Sequence, residues 1–88
     1  MYKVIWESLA QKSLIKLTKG DWTLAKKIKF KVETELAKNP YKNGEPLKGN
    51  LKGRWKYRFS KYRVIYEIKQ TKLLIIVIEV GHRREIYK

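Results

Sequence analysis

Several kinds of residue are scarce in this 88-residue chain, and each shortage excludes a class of protein or site. There is no cysteine, so disulfide bonds and metal sites built on thiolates are excluded. The one histidine, His82, cannot form a histidine-based metal site alone. The most apolar stretch, residues 73–80, includes Glu79 and is far shorter than the roughly 20 residues that a membrane-spanning helix needs. We therefore expect no metal, no cofactor and no membrane association.

The start of the chain also lacks the apolar segment of a secretory signal. Lys3 and Glu7 stand where that segment would lie, so we expect a cytoplasmic protein. The length predicts one domain over residues 1–88. Because 43% of the residues are apolar, the chain is predicted to fold into a globule with a small core.

Acidic residues are few, with eight against 22 lysines and arginines, which gives a formal net charge of +14. Such a charge attracts polyanions. All five arginines lie after residue 53, whereas residues 1–44 carry lysine alone. Arginine suits two-pronged phosphate contacts, so the second half is the better candidate for a site. The lysines are explained equally well by a solvated surface.

The first half of the chain predicts a strand followed by two helices. Residues 2–6 are β-branched and aromatic, as in a strand. Ser8, with Gln11 three residues later, has the spacing of a capping box that starts a helix. Gly20 ends that helix, Asp21 can cap the next one, and the Asn39–Pro40 pair ends it.

The second half predicts a long loop at residues 39–53 and then three strands, at residues 54–60, 62–69 and 72–80. The first of these, "RWKYRFS", alternates basic and aromatic side chains. The last is apolar on both faces and should lie centrally. We expect an α+β protein of order β-α-α-β-β-β, with two helices packed on a small, mostly antiparallel four-stranded sheet. The other sheet face would be partly open and carry the basic row Arg54, Lys56 and Arg58.

This topology predicts that basic side chains converge. Arg63 begins the next strand and Arg83 follows the last one, so both can approach the basic row, with Tyr87 close by. Cations that hold phosphates beside a ring that stacks on bases are typical of single-stranded nucleic acid sites. RNA supplies its own 2′-hydroxyl nucleophile, so a cationic cluster can in principle also catalyse its cleavage. The alternative is an ordinary, solvated charged face.

Three segments carry a family resemblance: "GEPLKGNLKGRWKYRF", "YRVIYEI" and "VGHRREIY", in this order and spacing. Together they make the chain similar to the RelE/ParE superfamily of toxins from toxin–antitoxin pairs, most closely to the RelE branch. The resemblance covers nearly the whole chain and implies the β-α-α-β-β-β fold. It implies a metal-independent endoribonuclease that cleaves messenger RNA in the ribosomal A site. It also implies an acidic, RelB-like antitoxin as partner, with the ribosome and messenger RNA as targets.

The resemblance also implies roles for single residues. Lys56 and Arg58 match a basic pair, of which Lys56 is the better candidate to take the 2′-proton. Arg63 matches the arginine that holds the scissile phosphate. Arg83 matches the arginine that stabilises charge or protonates the leaving oxygen, and Tyr87 matches the tyrosine that stacks on or orients the cut nucleotide.

Further residues extend this set. Lys52, Arg54 and Arg84 are expected to add RNA contacts. The loop also resembles that of the YoeB subgroup, which implies an alternative acid–base pair of Glu45 and His82. A carboxylate and an imidazole are the more conventional acid–base pair near neutral pH. A plain loop carboxylate and a solvated histidine are the competing interpretations.

Two other functions fit the same fold. One is a ParE-like toxin that inhibits DNA gyrase through protein contacts, and the other is a non-catalytic module that binds RNA or the ribosome. The combined basic and tyrosine set favours the ribonuclease, because the ParE branch generally lacks it.

Overall fold

A computed structural model of the protein describes residues 2–82. Its elements, in chain order, are β1 (Lys3–Trp6), α1 (Ser8–Leu17), α2 (Trp22–Lys38), β2 (Glu45–Pro46), β3 (Trp55–Phe59), β4 (Tyr62–Lys69) and β5 (Leu74–His82). Short 3-10 helices occupy Gly49–Leu51 and Gln70–Lys72. The predicted α+β class and the order of helices and strands are confirmed. Neither helix in this part of the chain combines the length and apolar character needed to cross a membrane.

The sheet has five strands in the order β1-β5-β4-β3-β2, so the predicted count of four was too low. The additional strand is the two-residue β2, which pairs antiparallel with β3 inside the segment predicted as one loop. The most apolar strand, β5, lies between β1 and β4, as its composition predicted. Its pairing with β1 is parallel, and all other pairings are antiparallel.

The two helices begin in different ways. Asp21 caps α2 as predicted, because its side chain accepts a hydrogen bond from the backbone N–H of Leu24. The predicted capping box at Ser8 was wrong: Glu7 is the N-cap residue and makes no side-chain cap. The side chain of Gln11 instead donates to the carbonyl of Trp6, so it fastens α1 to the end of β1.

The hydrophobic core lies between the helices and one face of the sheet. Its fully or almost fully buried members are Ala10, Ile28, Val32, Leu36, Val64, Tyr66, Ile75 and Val77. Burying each large aliphatic side chain contributes about 1.5–3 kcal/mol relative to leaving it exposed. The helices therefore cover one face of the sheet, and the side chains of the other face are available for a site.

A β-bulge sets which residues of β5 face that open side. Ile65 is paired with Glu79, but the next residue, Tyr66, is paired with Val77, so β5 contains one extra residue at this point. The extra residue reverses the alternation of side chains along β5. Gly81, beyond the bulge, consequently lies opposite Arg63, on the face away from the helices.

Candidate functional site

The open side of β3 and β4 carries a cluster of cations, here called the basic face, formed by Arg54, Lys56, Arg58 and Arg63. Lys56 and Arg58 alternate along β3 with Tyr57, which is buried under the helices. Arg58 lies directly opposite Arg63 on β4. Like charges placed opposite each other destabilise a sheet. Such a pairing breaks a local rule, as residues at binding sites often do.

A single carboxylate bridges two of these cations. Glu45 lies opposite Lys56 in the β2–β3 pairing. Its Oε2 atom is 3.4 Å from Nζ of Lys56, and its Oε1 atom is 3.5 Å from Nη2 of Arg58. The side chain of Lys56 is only 18% exposed, whereas that of Glu45 is 58% exposed. The carboxylate therefore lies on the solvent side of the lysine.

A second carboxylate, Glu67, joins the other end of the basic face. One of its oxygens is 3.5 Å from Nε of Arg54, and the other is 3.5 Å from Nζ of Lys69. These partners are partly exposed, so the pairs contribute about 0–1 kcal/mol each to stability. Their main effect is to orient Arg54 along the sheet.

Arg63 lies opposite a glycine. Its cross-strand neighbour on β5 is Gly81, which has no side chain to fill the open face. The Nε atom of Arg63 is itself shielded from solvent. Gly81 therefore adds no side chain next to Arg63 on this face. Sequence reasoning missed Gly81, because its place opposite Arg63 depends on the bulge.

A cavity of about 190 Å³ adjoins the basic face. It is lined by Lys42, Asn43, Gly44, Glu45, Lys56 and Arg58. Lys42 and Asn43 were not predicted to belong to the site, and only their proximity to Glu45 in sequence could have indicated it. The loop therefore adds one more cation and one amide beside the basic face.

Buried contacts fix the loop that carries Glu45. The hydroxyl of Tyr66 donates to the carbonyl of Pro40 at 2.6 Å. Burial raises the pKa of this tyrosine far above its usual value, so it stays protonated. The side chain of Asn43 donates to the carbonyl of Glu35, also at 2.6 Å. Gly44 packs so closely on Tyr66 that a Cβ atom there would overlap the hydroxyl.

His82 does not lie on the basic face. It is paired with Tyr62, and the centroids of the two rings are 5.7 Å apart on the face covered by the helices. It lines a separate groove of about 350 Å³ with Lys16 and Lys19, at the end of α1. Glu45 and His82, the alternative acid–base pair, are therefore on opposite faces of the sheet.

The remaining predicted residues are placed as follows. Lys52 is exposed just after the 3-10 helix Gly49–Leu51, near the start of β3. Arg83, Arg84 and Tyr87 lie outside the described residues. Within residues 2–82, no three His, Asp or Glu side chains gather in a way that could hold a metal ion.

The family described as "ParE toxin of type II toxin-antitoxin system, parDE" matches residues 4–87. The chain belongs to the ParE toxin family. The match includes the whole basic face, so this family member belongs to the RelE/ParE superfamily that its three segments resemble.

Individual relatives agree with this assignment. Toxin RelG of Mycobacterium tuberculosis is 32% identical over 54 residues, which are 61% of this chain and 62% of that protein, less than two thirds of its length. A RelBE toxin–antitoxin complex from the same organism is 25% identical, with a TM-score of 0.84 over 96% of this chain and 93% of that one. The isolated RelE toxin of Escherichia coli is 27% identical, with a TM-score of 0.70 over 99% and 92% of the two chains. The RelE-like fold is therefore shared.

Proposed function

We propose that this ParE family member is the toxin of a type II toxin–antitoxin pair and acts as a ribosome-dependent endoribonuclease. It would cleave messenger RNA in the A site and so stop translation. The observation that carries the proposal is the basic face itself. Lys56, Arg58 and Arg63 lie together on one open surface, and two of them are paired across neighbouring strands.

The proposed reaction is attack by the 2′-oxygen of RNA on the adjacent phosphorus. A new bond joins the 2′-oxygen to phosphorus, the bond to the 5′-oxygen breaks, and the products are a 2′,3′-cyclic phosphate and a 5′-hydroxyl. The residue proposed to help take the 2′-proton is Lys56, which borders the cavity and would accept the proton as the neutral amine. Arg58 and Arg63 would hold the phosphate and stabilise the negative charge that develops on it.

The roles of Arg83 and Tyr87 rest on the family resemblance. Arg83 would protonate the leaving 5′-oxygen or stabilise its charge, and Tyr87 would stack on or orient the cut nucleotide. Lys52, Arg54 and Arg84 would bind neighbouring phosphates. Positioning of the reacting groups and fixed positive charge supply most of the rate enhancement in such a reaction.

The alternative acid–base pair can be weighed by position. Glu45 is within 3.4 Å of Lys56 and faces the same solvent region. His82 is on the other face of the sheet, beside Tyr62. A single phosphodiester linkage could not reach both side chains in this arrangement. The separation therefore favours the lysine–arginine set over joint action of Glu45 and His82.

The proposed partner is an acidic antitoxin. A formal charge of +14 favours a partner with an acidic segment. The helices also expose large apolar side chains, with Trp22 66% and Phe30 71% exposed, which could receive apolar anchors of such a segment. The similar structure from M. tuberculosis was solved as a toxin–antitoxin complex. Absence of a complex between the two purified proteins at low salt would contradict this part of the proposal.

The decisive experiment is primer extension on a message that ribosomes are translating. Wild-type protein should produce cuts within ribosome-bound codons. Lys56→Ala and Arg83→Ala should reduce cutting by about a hundredfold or more, the usual contribution of acid–base or charge-stabilising groups. Lys72→Ala is the matched control, because it removes the same charge from the exposed 3-10 helix that follows β4, and it should cut normally.

Other results would overturn the proposal. Cutting that is unchanged in Lys56→Ala, Arg58→Ala and Arg83→Ala would remove the basic face from the chemistry. Growth arrest without any cutting, together with inhibition of DNA gyrase, would identify a gyrase inhibitor instead. Binding to ribosomes without cutting or arrest would identify a non-catalytic module.

A further inference from the structure

We propose that Glu45 is a carboxylate lock: in the protein without RNA it occupies the place of an RNA phosphate on the basic face. An incoming phosphate must then displace it. This inference rests on the proposed function, since it assigns the RNA-binding surface. Its structural basis is that one carboxylate contacts Lys56 at 3.4 Å and Arg58 at 3.5 Å, one cation on each oxygen.

A phosphodiester is the ligand that this arrangement imitates. Like a carboxylate, it presents two anionic oxygens that can each accept from a different cation. A phosphate that bridged Lys56 and Arg58 would use the same two donors. The carboxylate and the phosphate therefore compete for one position, and their charges repel each other when both are near it.

The position of Glu45 is fixed by the backbone. The β2–β3 pairing places Glu45 directly opposite Lys56. Immediately before it, Gly44 packs on the buried side chain of Tyr66, whose hydroxyl holds Pro40. These contacts fix the backbone that presents the carboxylate, so its position does not depend on the ion pairs alone.

The side chain itself is able to leave. Glu45 is 58% exposed, and it belongs to an edge strand of two residues. A cavity of about 190 Å³ lies beside it, between the loop and β3. The pair with Arg58 is exposed at both ends, with Arg58 44% and Glu45 58% exposed, and a ligand with more contacts can replace such a pair.

The lock differs in a measurable way from a general base. A base is needed for cleavage, and removing it leaves binding unchanged. A lock opposes binding, and removing it tightens binding even to a strand that cannot be cut. A short single-stranded oligodeoxynucleotide separates the two, because it lacks the 2′-hydroxyl but carries the same phosphates.

The test is fluorescence anisotropy with this oligodeoxynucleotide at several salt concentrations, for wild type and Glu45→Gln. We expect Glu45→Gln to bind about 3- to 10-fold more tightly at low salt. Its salt dependence should also steepen by about 0.7 in log–log slope, equivalent to one more phosphate contact on a single strand.

Glu7→Gln is the matched control. It makes the same change in net charge, but Glu7 is exposed at the start of α1, beyond the opposite edge of the sheet. We expect its affinity to rise less than that of Glu45→Gln at every salt concentration, and to stay within about twofold of wild type near 0.1 M salt, where exposed charges more than about 10 Å apart are largely screened. Glu45→Ser provides a second variant without the carboxylate and should behave as Glu45→Gln does.

The outcomes distinguish this inference from the proposed function. If both Glu45 variants bind no more tightly than Glu7→Gln, the lock is refuted, whatever the ribosome assay gives. If they bind no more tightly and also fail to cut, Glu45 acts as a base. If they bind more tightly while wild type cuts no message, the lock stands and the ribonuclease proposal falls.

Discussion

The contact between Gly44 and Tyr66 allows a quantitative test of how the loop is held. A Cβ atom at residue 44 would overlap the Tyr66 hydroxyl and would lie 2.9 Å from both its Cζ atom and the carbonyl oxygen of Lys56. The perturbations are Gly44→Ala, Tyr66→Phe and the double variant. Each single change should disrupt the hydrogen bond that fastens Tyr66 to the buried Pro40.

The expected magnitudes follow from these contacts. Tyr66→Phe leaves the carbonyl of Pro40 without its donor, which costs about 1–3 kcal/mol of unfolding free energy. Gly44→Ala displaces the same hydroxyl and adds about 1–3 kcal/mol of overpacking, so it should cost about 2–6 kcal/mol. In the double variant the hydrogen bond is lost only once. The two changes together should therefore cost about 1–3 kcal/mol less than their sum.

Urea unfolding of the four proteins, followed by far-ultraviolet circular dichroism, measures this coupling. Equal slopes in the four transitions would establish that the same surface unfolds in each. The reasoning is refuted if the effects of the single changes add to within about 0.3–0.5 kcal/mol, as they do for residues that are not in contact. It is also refuted if Gly44→Ala is no less stable than wild type.

Two further predictions concern the helix cap and the buried phenol. Asp21→Ala should lower the unfolding free energy by about 0.5–2 kcal/mol, because the N–H of Leu24 loses its acceptor, and Asp21→Asn should retain most of the stability in thermal unfolding. Equal losses in the two variants would contradict the cap. Because burial raises the pKa of Tyr66 above the unfolded value of about 10, its stabilising effect is complete below pH about 10. The advantage of wild type over Tyr66→Phe should then shrink by up to about 1.4 kcal/mol per pH unit as the pH rises further, and a constant advantage between pH about 9 and 11 would contradict this.

Much of the fold was predictable, because it depends on periodicities that can be read along one segment. The alternation in "RWKYRFS" placed Tyr57 under the helices and Lys56 and Arg58 on the open face, as the structure has them. The apolar run of the last strand predicted its central place. The predicted bounds of the strands were less exact. The last strand covers Leu74–His82, so it begins and ends two residues later than predicted.

The parts that were missed depend on contacts between distant segments. The strand β2 has two residues, one of them Pro46, so it carries no alternation that could predict it. The bulge in β5 leaves no mark in composition, yet it decides that Gly81 lies opposite Arg63. The capping box at Ser8 failed because Gln11 finds a partner in Trp6, on the preceding strand.

The gathering of cations on one face was predicted, but the geometry around them was not. Residue types and spacing indicated that Lys56, Arg58 and Arg63 share a surface, and the strand pairing agrees. The sequence could not indicate that Glu45 bridges two of these cations, or that His82 belongs to the other face. Both facts follow from strand register, which depends on the whole sheet rather than on a local pattern.

The central place of β5 has a consequence for synthesis of the protein. Both β1 and β4 form their long pairings with β5, yet β5 is the last of the described strands to be made. Until residues 74–77 have left the ribosome, β1 lacks its neighbour, and until residue 81 has left it, Arg63 has no cross-strand neighbour on β5. Pairings between residues 3 and 74 also require closure of most of the chain, which slows folding. The five-stranded sheet therefore cannot be completed during synthesis before β5 has emerged from the ribosome.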